Sequence, residues 1–144
     1  MRLRSLAIRN YRSIRRLQVE FPDGVLGIVG HNGAGKSSLL EAVAWALYGT
    51  PAVRTRAEAV ATIGASDPCR VRLEFDLGGE AFRLERVLKP SSTTAELARG
   101  DELLAEGARE VADYVAERLL RMDYQTFYAS IFTRQGELDK FVSM

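Results

Sequence analysis

Residues 30–38 read Gly30-His31-Asn32-Gly33-Ala34-Gly35-Lys36-Ser37-Ser38. The stretch fits G-x-x-x-x-G-K-[ST] at every fixed position, through Gly30, Gly35, Lys36 and Ser37. Ahead of it lies an apolar-rich run, Leu26 to Val29, read as part of a buried strand over Val25–Val29. Behind it, Ser38 to Leu47 spaces its apolar residues as a helix does. Strand, glycine loop and helix are the context in which this pattern holds a phosphate.

The residue types follow from the anion. A triphosphate needs many N–H donors at close range, so bare backbone has to approach it. Gly33 and Gly35 carry no Cβ to obstruct that approach. A helix starting near Lys36 aims its unpaired N–H groups and the positive end of its dipole at the phosphates. Lys36 is expected to reach the β- and γ-phosphates, and the Ser37 hydroxyl to ligate Mg²⁺. The chain is therefore expected to bind a nucleotide phosphate.

The 144 residues amount to one domain, large enough for a core. An apolar fraction of 47% beside 27% charged residues excludes a disordered chain. No apolar run approaches the roughly 18 residues of a membrane span, and Met1-Arg2-Leu3-Arg4 enters a strand pattern without a signal-peptide core. The lone Cys69 rules out an internal disulfide and a cysteine metal cluster. A cytoplasmic protein is the default expectation, with no membrane partner. Net charge is only +1, yet residues 1–16 hold six Arg and no acid. Such a basic edge suits DNA phosphates; it equally suits a solvated outer strand face.

Leu3, Leu6 and Ile8 alternate loosely, which predicts a strand over 2–9, and Asn10 to Ser13 a turn. A second strand is expected over 16–21, a tight turn at Pro22-Asp23-Gly24, and a helix from the glycine loop to Tyr48, stopped by Gly49-Thr50-Pro51. Residues 52–68 read as a short helix or a loop. Val71, Leu73, Phe75 and Leu77 predict a strand over 69–77, and Gly78-Gly79 a hairpin turn. The return strand is carried by Phe82, Leu84 and, after Glu85-Arg86, Val87. Residues 93–98 suit a further strand with a turn at Gly100-Asp101. Ala108 to Arg121 suits an amphipathic helix with Val111, Val115, Leu119 and Met122 on one side, and Asp123 suits the cap of another. The fold class expected is α/β, a mixed sheet and a β-hairpin subdomain packed on helices.

A phosphate loop ordinarily works with a buried strand ending in Asp, which helps hold Mg²⁺, followed by a Glu that activates water. The sequence has no such strand. Val71 to Asp76 alternates, so it belongs to a half-exposed hairpin. Leu77-Gly78-Gly79-Glu80 imitates a Ser-Gly-Gly signature, but that motif opens a helix and these glycines sit between alternating flanks. The site is half a catalytic machine: the rest lies elsewhere, or the chain only binds.

Three strings in order carry a resemblance: Asn10-Tyr11-Arg12-Ser13-Ile14, the loop Gly30 to Ser38, and Thr133-Arg134-Gln135-Gly136-Glu137. Together they resemble the N-terminal ATPase lobe of SbcC-type DNA double-strand-break repair ATPases, the SMC-like branch of the ABC class. The resemblance covers nearly the whole chain and implies a P-loop NTPase, specifically the N-terminal lobe of an ABC-type ATPase head. It also implies that Arg12 and Ser13 approach the nucleotide phosphates. Asn32, Gly33, Ala34, Gly35, Lys36, Ser37 and Ser38 would wrap them, and Gln135 would be the Q-loop residue on Mg²⁺ and the attacking water. Thr62 and Ile63 would lie near the ribose or base. Leu138 to Phe141 would root a coiled coil, beyond which a C-terminal lobe supplies the signature motif and the acidic strand.

The same resemblance implies ATP and Mg²⁺ as cofactors, a second head joined on ATP, DNA and an SbcD-type nuclease as partners, and a nucleoid-associated location. ATP hydrolysis is expected only when the C-terminal lobe and second head complete the site. His31, Trp45 and Cys69 are read as a backbone contributor, a core residue and an inert strand residue. A RecF-like or RecN-like repair ATPase is the alternative within the class. A non-hydrolysing nucleotide-binding interaction module is the alternative outside it. A P-loop kinase or GTPase would need acceptor or base-specificity elements that the sequence does not offer.

Overall fold

The computed structural model describes residues 2–12, 14–20, 34–49, 68–90, 92–127 and 129, with 34–40 as backbone alone. Its strands are β1 (Arg2–Tyr11), β2 (Ile14–Glu20), β3 (Cys69–Leu77), β4 (Glu80–Leu88), β5 (Thr93–Arg99) and β6 (Glu102–Glu106). They form one six-stranded sheet in the order β2-β1-β3-β4-β5-β6, and all these pairs run antiparallel. The helices are α1 (Ala34–Tyr48) and α2 (Ala108–Tyr114), the latter running into a π-helical turn, Val115–Leu119. The strand expected at Val25–Val29 and the reading of 52–67 lie outside the described residues.

One face of the sheet builds the core. Leu6, Leu73, Leu84 and Leu97 stand in one cross-strand row, each at most 1% exposed. Burying a leucine is worth about 1.5–3 kcal/mol, so this row is a main support of the sheet. Phe75 and Phe82 stack beside it with ring centroids 5.5 Å apart. Alternation alone does not explain β1, because Leu3 and Leu6 both face inward at an odd spacing. A register shift between Leu3 and Ser5 resolves it: Arg4 is an extra residue, and the bulge returns Leu6 to the core side. Arg4 then pairs with Asp76 across the sheet at 2.5 Å.

α1 is the central helix. From Glu41 to Tyr48 every residue is buried, which suits a helix apolar almost all round. Trp45 lies in the core with its ring 5.9 Å from Tyr11, as the sequence suggested. The helix ends at Gly49, whose N–H reaches Trp45 O at 2.7 Å and whose φ is +78°. That left-handed cap favours glycine. A Cβ there would also stand 3.1 Å from Arg86 Nη1. Gly49→Ala is expected to destabilise the chain by about 1–2 kcal/mol from the backbone alone, read as a lower midpoint in urea unfolding.

Several expectations need correction. β1 runs to Tyr11 and β2 begins at Ile14, so the turn between them is only Arg12 and Ser13, the latter outside the described residues. Gly78-Gly79 is the expected hairpin turn, with φ of 59° and 80° between the paired Leu77 and Glu80. On β4 the inward position belongs to Arg86, 1% exposed, between Val71 and Ala95. Val87 faces the other side. β6 was not anticipated, and the helix from Ala108 stays α-helical only to Tyr114 before its turns widen, Leu120 N–H bonding Val115 O. Asp123 caps as expected, its Oδ1 accepting from Thr126 N–H at 2.8 Å.

Burial pushes the Cys69 thiol from 9.0 up to about 12. The unfolded chain ionises this group first, so its contribution to stability is complete below about pH 9 and is lost as pH rises towards about 12. Urea midpoints are expected to fall over that window, and less steeply in Cys69→Ala.

Candidate functional site

α1 opens at Ala34, inside the Gly30–Ser38 stretch, so that Lys36 and Ser37 fall in its first turn. That turn holds no carboxylate. Its unpaired N–H groups and positive dipole end are therefore unopposed by a local acid, the condition an incoming phosphate needs. A hydroxyl at Ser37 is a hard oxygen donor. Mg²⁺ takes few protein ligands and completes its shell with phosphate and water oxygens, so the residues present fit an Mg-nucleotide.

The turn between β1 and β2 is attached to this helix. Glu41 lies four residues after Ser37, one helical turn along the same face. Its Oε1 accepts two hydrogen bonds, from the Tyr11 hydroxyl at 2.8 Å and from Arg12 Nε at 2.6 Å. Neighbours on a strand normally point to opposite faces. Here they converge because Asn10 and Arg12, on either side of Tyr11, have φ of 53° and 50°. A positive φ strains a residue with a Cβ, and a two-residue hairpin more readily takes glycine there. The Glu41 carboxylate helps to hold Arg12 in that conformation.

The electrostatics agree with the geometry. Burial, then the hydrogen bond and charge of Glu41, push the Tyr11 hydroxyl well above its ordinary value, keeping it a donor. For Arg12 burial acts downward, but the hydrogen bond and charge of Glu41 outweigh it and the pKa rises. Arg12 keeps 28% of its side chain exposed and Glu41 12%, so the pair sits at the edge of the core. Glu41→Ala would leave the buried phenol and the guanidinium without this acceptor. A loss of about 2–4 kcal/mol is expected, and about half of that for Glu41→Gln, whose amide oxygen still accepts. Urea unfolding of the two variants measures it.

The far end of α1 is fixed by Arg86. Its Nε donates to Ala46 O at 3.0 Å, one of the carbonyls left over at the helix end, and its Nη1 to Ala108 O of α2 at 3.0 Å. Burial lowers its pKa to about 10. Tyr48 adds a hydroxyl bond to Met122 O at 2.9 Å. The helix that carries the phosphate motif is thus held at both ends.

Of the site residues expected from sequence, Arg12 is described in full and Ala34, Gly35, Lys36, Ser37 and Ser38 as helix backbone. Ser13, Asn32, Gly33, Thr62, Ile63 and Gln135 lie outside the described residues, as does the coiled-coil root at 138 onward. Sequence reasoning missed Glu41. Its signal was available: it is the one acid in α1.

A family model for an AAA domain matches residues 5–143. The chain belongs to the AAA-domain family. Among curated proteins, it is 35% identical over 147 residues to the DNA double-strand break repair Rad50 ATPase of Thermoplasma volcanium, covering 99% of this chain and 16% of the relative. The Rad50 ATPase of Methanococcus maripaludis is 31% identical over 144 residues, with 100% of this chain and 14% of the relative covered. Among solved structures, the SMC head domain from Thermotoga maritima matches with a TM-score of 0.53 and 28% identity, over 69% of this chain and 38% of that one. This AAA-domain chain spans about one-sixth of the length of the curated relatives it matches. It is a Rad50- and SMC-like ATPase lobe with the P-loop NTPase fold. Among its described residues no helix is long and apolar enough to cross a membrane.

Proposed function

We propose that this chain is the ATP-binding half of an SMC-like DNA double-strand-break repair ATPase. The observation that carries the reading is the opening of α1 inside the phosphate motif, with the Arg12 turn tied to that helix through Glu41. Backbone N–H groups from residues 32–38 wrap the phosphates, Lys36 neutralises the β- and γ-phosphates, and Ser37 is a ligand to Mg²⁺. Arg12, presented by its strained turn, adds a second cation, with Ser13 beside it. Gln135 contacts Mg²⁺ and the water, and Thr62 and Ile63 border the nucleoside. Bound Mg²⁺ supplies charge neutralisation between the phosphates.

The sequence offers no buried strand ending in Asp, so hydrolysis requires a complementary C-terminal lobe and the signature motif of a second head. ATP then joins two heads, the engaged pair holds DNA and regulates an SbcD-type nuclease, and hydrolysis releases it. Residues 138 onward lead into the coiled coil between the lobes. A nucleoid-associated, cytoplasmic setting follows from that role. The test is a titration of the chain with a fluorescent ATP analogue and Mg²⁺. Saturable binding displaced by unlabelled ATP is expected, and its absence refutes the reading.

A further inference from the structure

The outer face of the sheet carries a feature that neither the motifs nor the nucleotide site uses. Cross-strand register sets Arg16 of β2 opposite Arg9 of β1, and Arg9 opposite Arg70 of β3. All three are exposed. The ion pairs of the described residues engage Arg4, Arg12, Arg72, Arg99 and Arg109 instead. Among the described residues, the side chains of Arg9, Arg16 and Arg70 form no hydrogen bond or ion pair. Past Arg70 the row continues through Val87 and Thr94, so it contains no carboxylate from β2 to β5. The next row across the first three strands is Gln18, Ala7 and Arg72, again without an acid.

Like charges directly opposite one another weaken a sheet. The row therefore holds repulsion that a bound anion relieves. Strands lie about 4.8 Å apart, so three in a row span about 10 Å. Over that length a DNA duplex presents about six phosphate charges. A protein partner would need apolar anchors at the centre of the interface. The only exposed large hydrophobic side chain among the described residues is Leu103, on β6 at the opposite edge of the sheet.

We propose that Arg9, Arg16 and Arg70 form a docking strip for the phosphodiester backbone of duplex DNA, independent of base sequence. The choice of DNA rests on the repair-ATPase reading above; the strip itself rests on register and charge. It needs no nucleotide, because all three residues stand on the exposed face of the sheet, opposite the face that packs on α1.

The test compares the 144-residue chain with the Arg9→Gln/Arg16→Gln/Arg70→Gln variant, by fluorescence anisotropy with a random-sequence duplex from about 50 to about 200 mM salt, without ATP. Wild type is expected to bind with an affinity that falls linearly in log–log form as salt rises. The triple variant should bind more than about tenfold more weakly, with a slope reduced by about 2.7, or about 0.9 for each phosphate no longer neutralised. Arg109→Gln/Arg118→Gln removes two charges on α2 and its π-helical turn and should leave the slope unchanged. A triple variant with unaltered slope overturns the strip, as does a wild-type chain that fails to bind duplex. Strip-dependent binding to polyglutamate but not to DNA overturns it in favour of an acidic protein. Mg-ATP binding measured on the same samples separates the two readings: retained there while DNA results fail, it leaves the ATPase reading standing. Should the triple variant not fold, Arg70→Gln alone must lower the slope by about 0.9.

Discussion

Lys36→Ala weakens Mg-ATP binding by about 10- to 100-fold and, in the completed head, lowers hydrolysis by about 100- to 1,000-fold. The first figure is the loss of a hydrogen bond to a charged group, about 1.5–3 kcal/mol. The second adds the loss of a donor aimed at charge that develops in the transition state. The helix backbone that carries Lys36 is intact in the variant, and alanine is a better helix former than lysine, so α1 keeps its start at Ala34. The unfolding midpoint should therefore hardly move while affinity collapses. Fluorescent-ATP titration beside urea unfolding checks both. Equal affinity for the variant and wild type would mean that the phosphate sits elsewhere.

Arg86→Ala produces the largest loss of stability, about 3–5 kcal/mol. The side chain is 1% exposed, and its removal leaves a cavity between α1, β4 and α2 as well as two carbonyls, Ala46 O and Ala108 O, without their cationic donor. The buried charge is itself unfavourable, as its lowered pKa of about 10 indicates. Arg86→Met, which fills the space without charge, should therefore cost less than alanine, about 1–2 kcal/mol. Arg86→Lys, still charged and without the guanidinium fork that spans two helices, should be close to alanine. The order Met, then Lys and Ala, in urea unfolding separates a helix-bridging role from mere bulk. A variant series that followed side-chain volume alone would contradict it.

These residues also mark what the chain discloses in sequence and what it withholds. The β3–β4 hairpin was legible because alternation and two consecutive glycines specify the same turn. So was α1, where a glycine loop leads into an apolar helix that stops at Gly49. The bulge at Arg4 was visible only as an irregular interval between Leu3 and Leu6. The inward place of Arg86 was not legible, because hydropathy favours Val87 beside it. The carbonyls that draw the guanidinium in belong to helices 40 and 22 residues away. Arg70 gave no local sign either; its meeting with Arg9 and Arg16 depends on the register of β3 against β1. For the site, the motif identified the phosphate helix, whereas the Glu41 anchor needed the turn geometry of Asn10 and Arg12 to bring two adjacent side chains to one carboxylate.

The most direct test of the central claim is steady-state Mg-ATP hydrolysis by this chain alone, then mixed with a separate polypeptide carrying the complementary C-terminal lobe. No turnover alone, turnover on mixing, and its loss with Lys36→Ala is the expected result for one half of a split ATPase head. Sustained turnover by the chain alone would contradict it, because the chain would then hold its own catalytic acid.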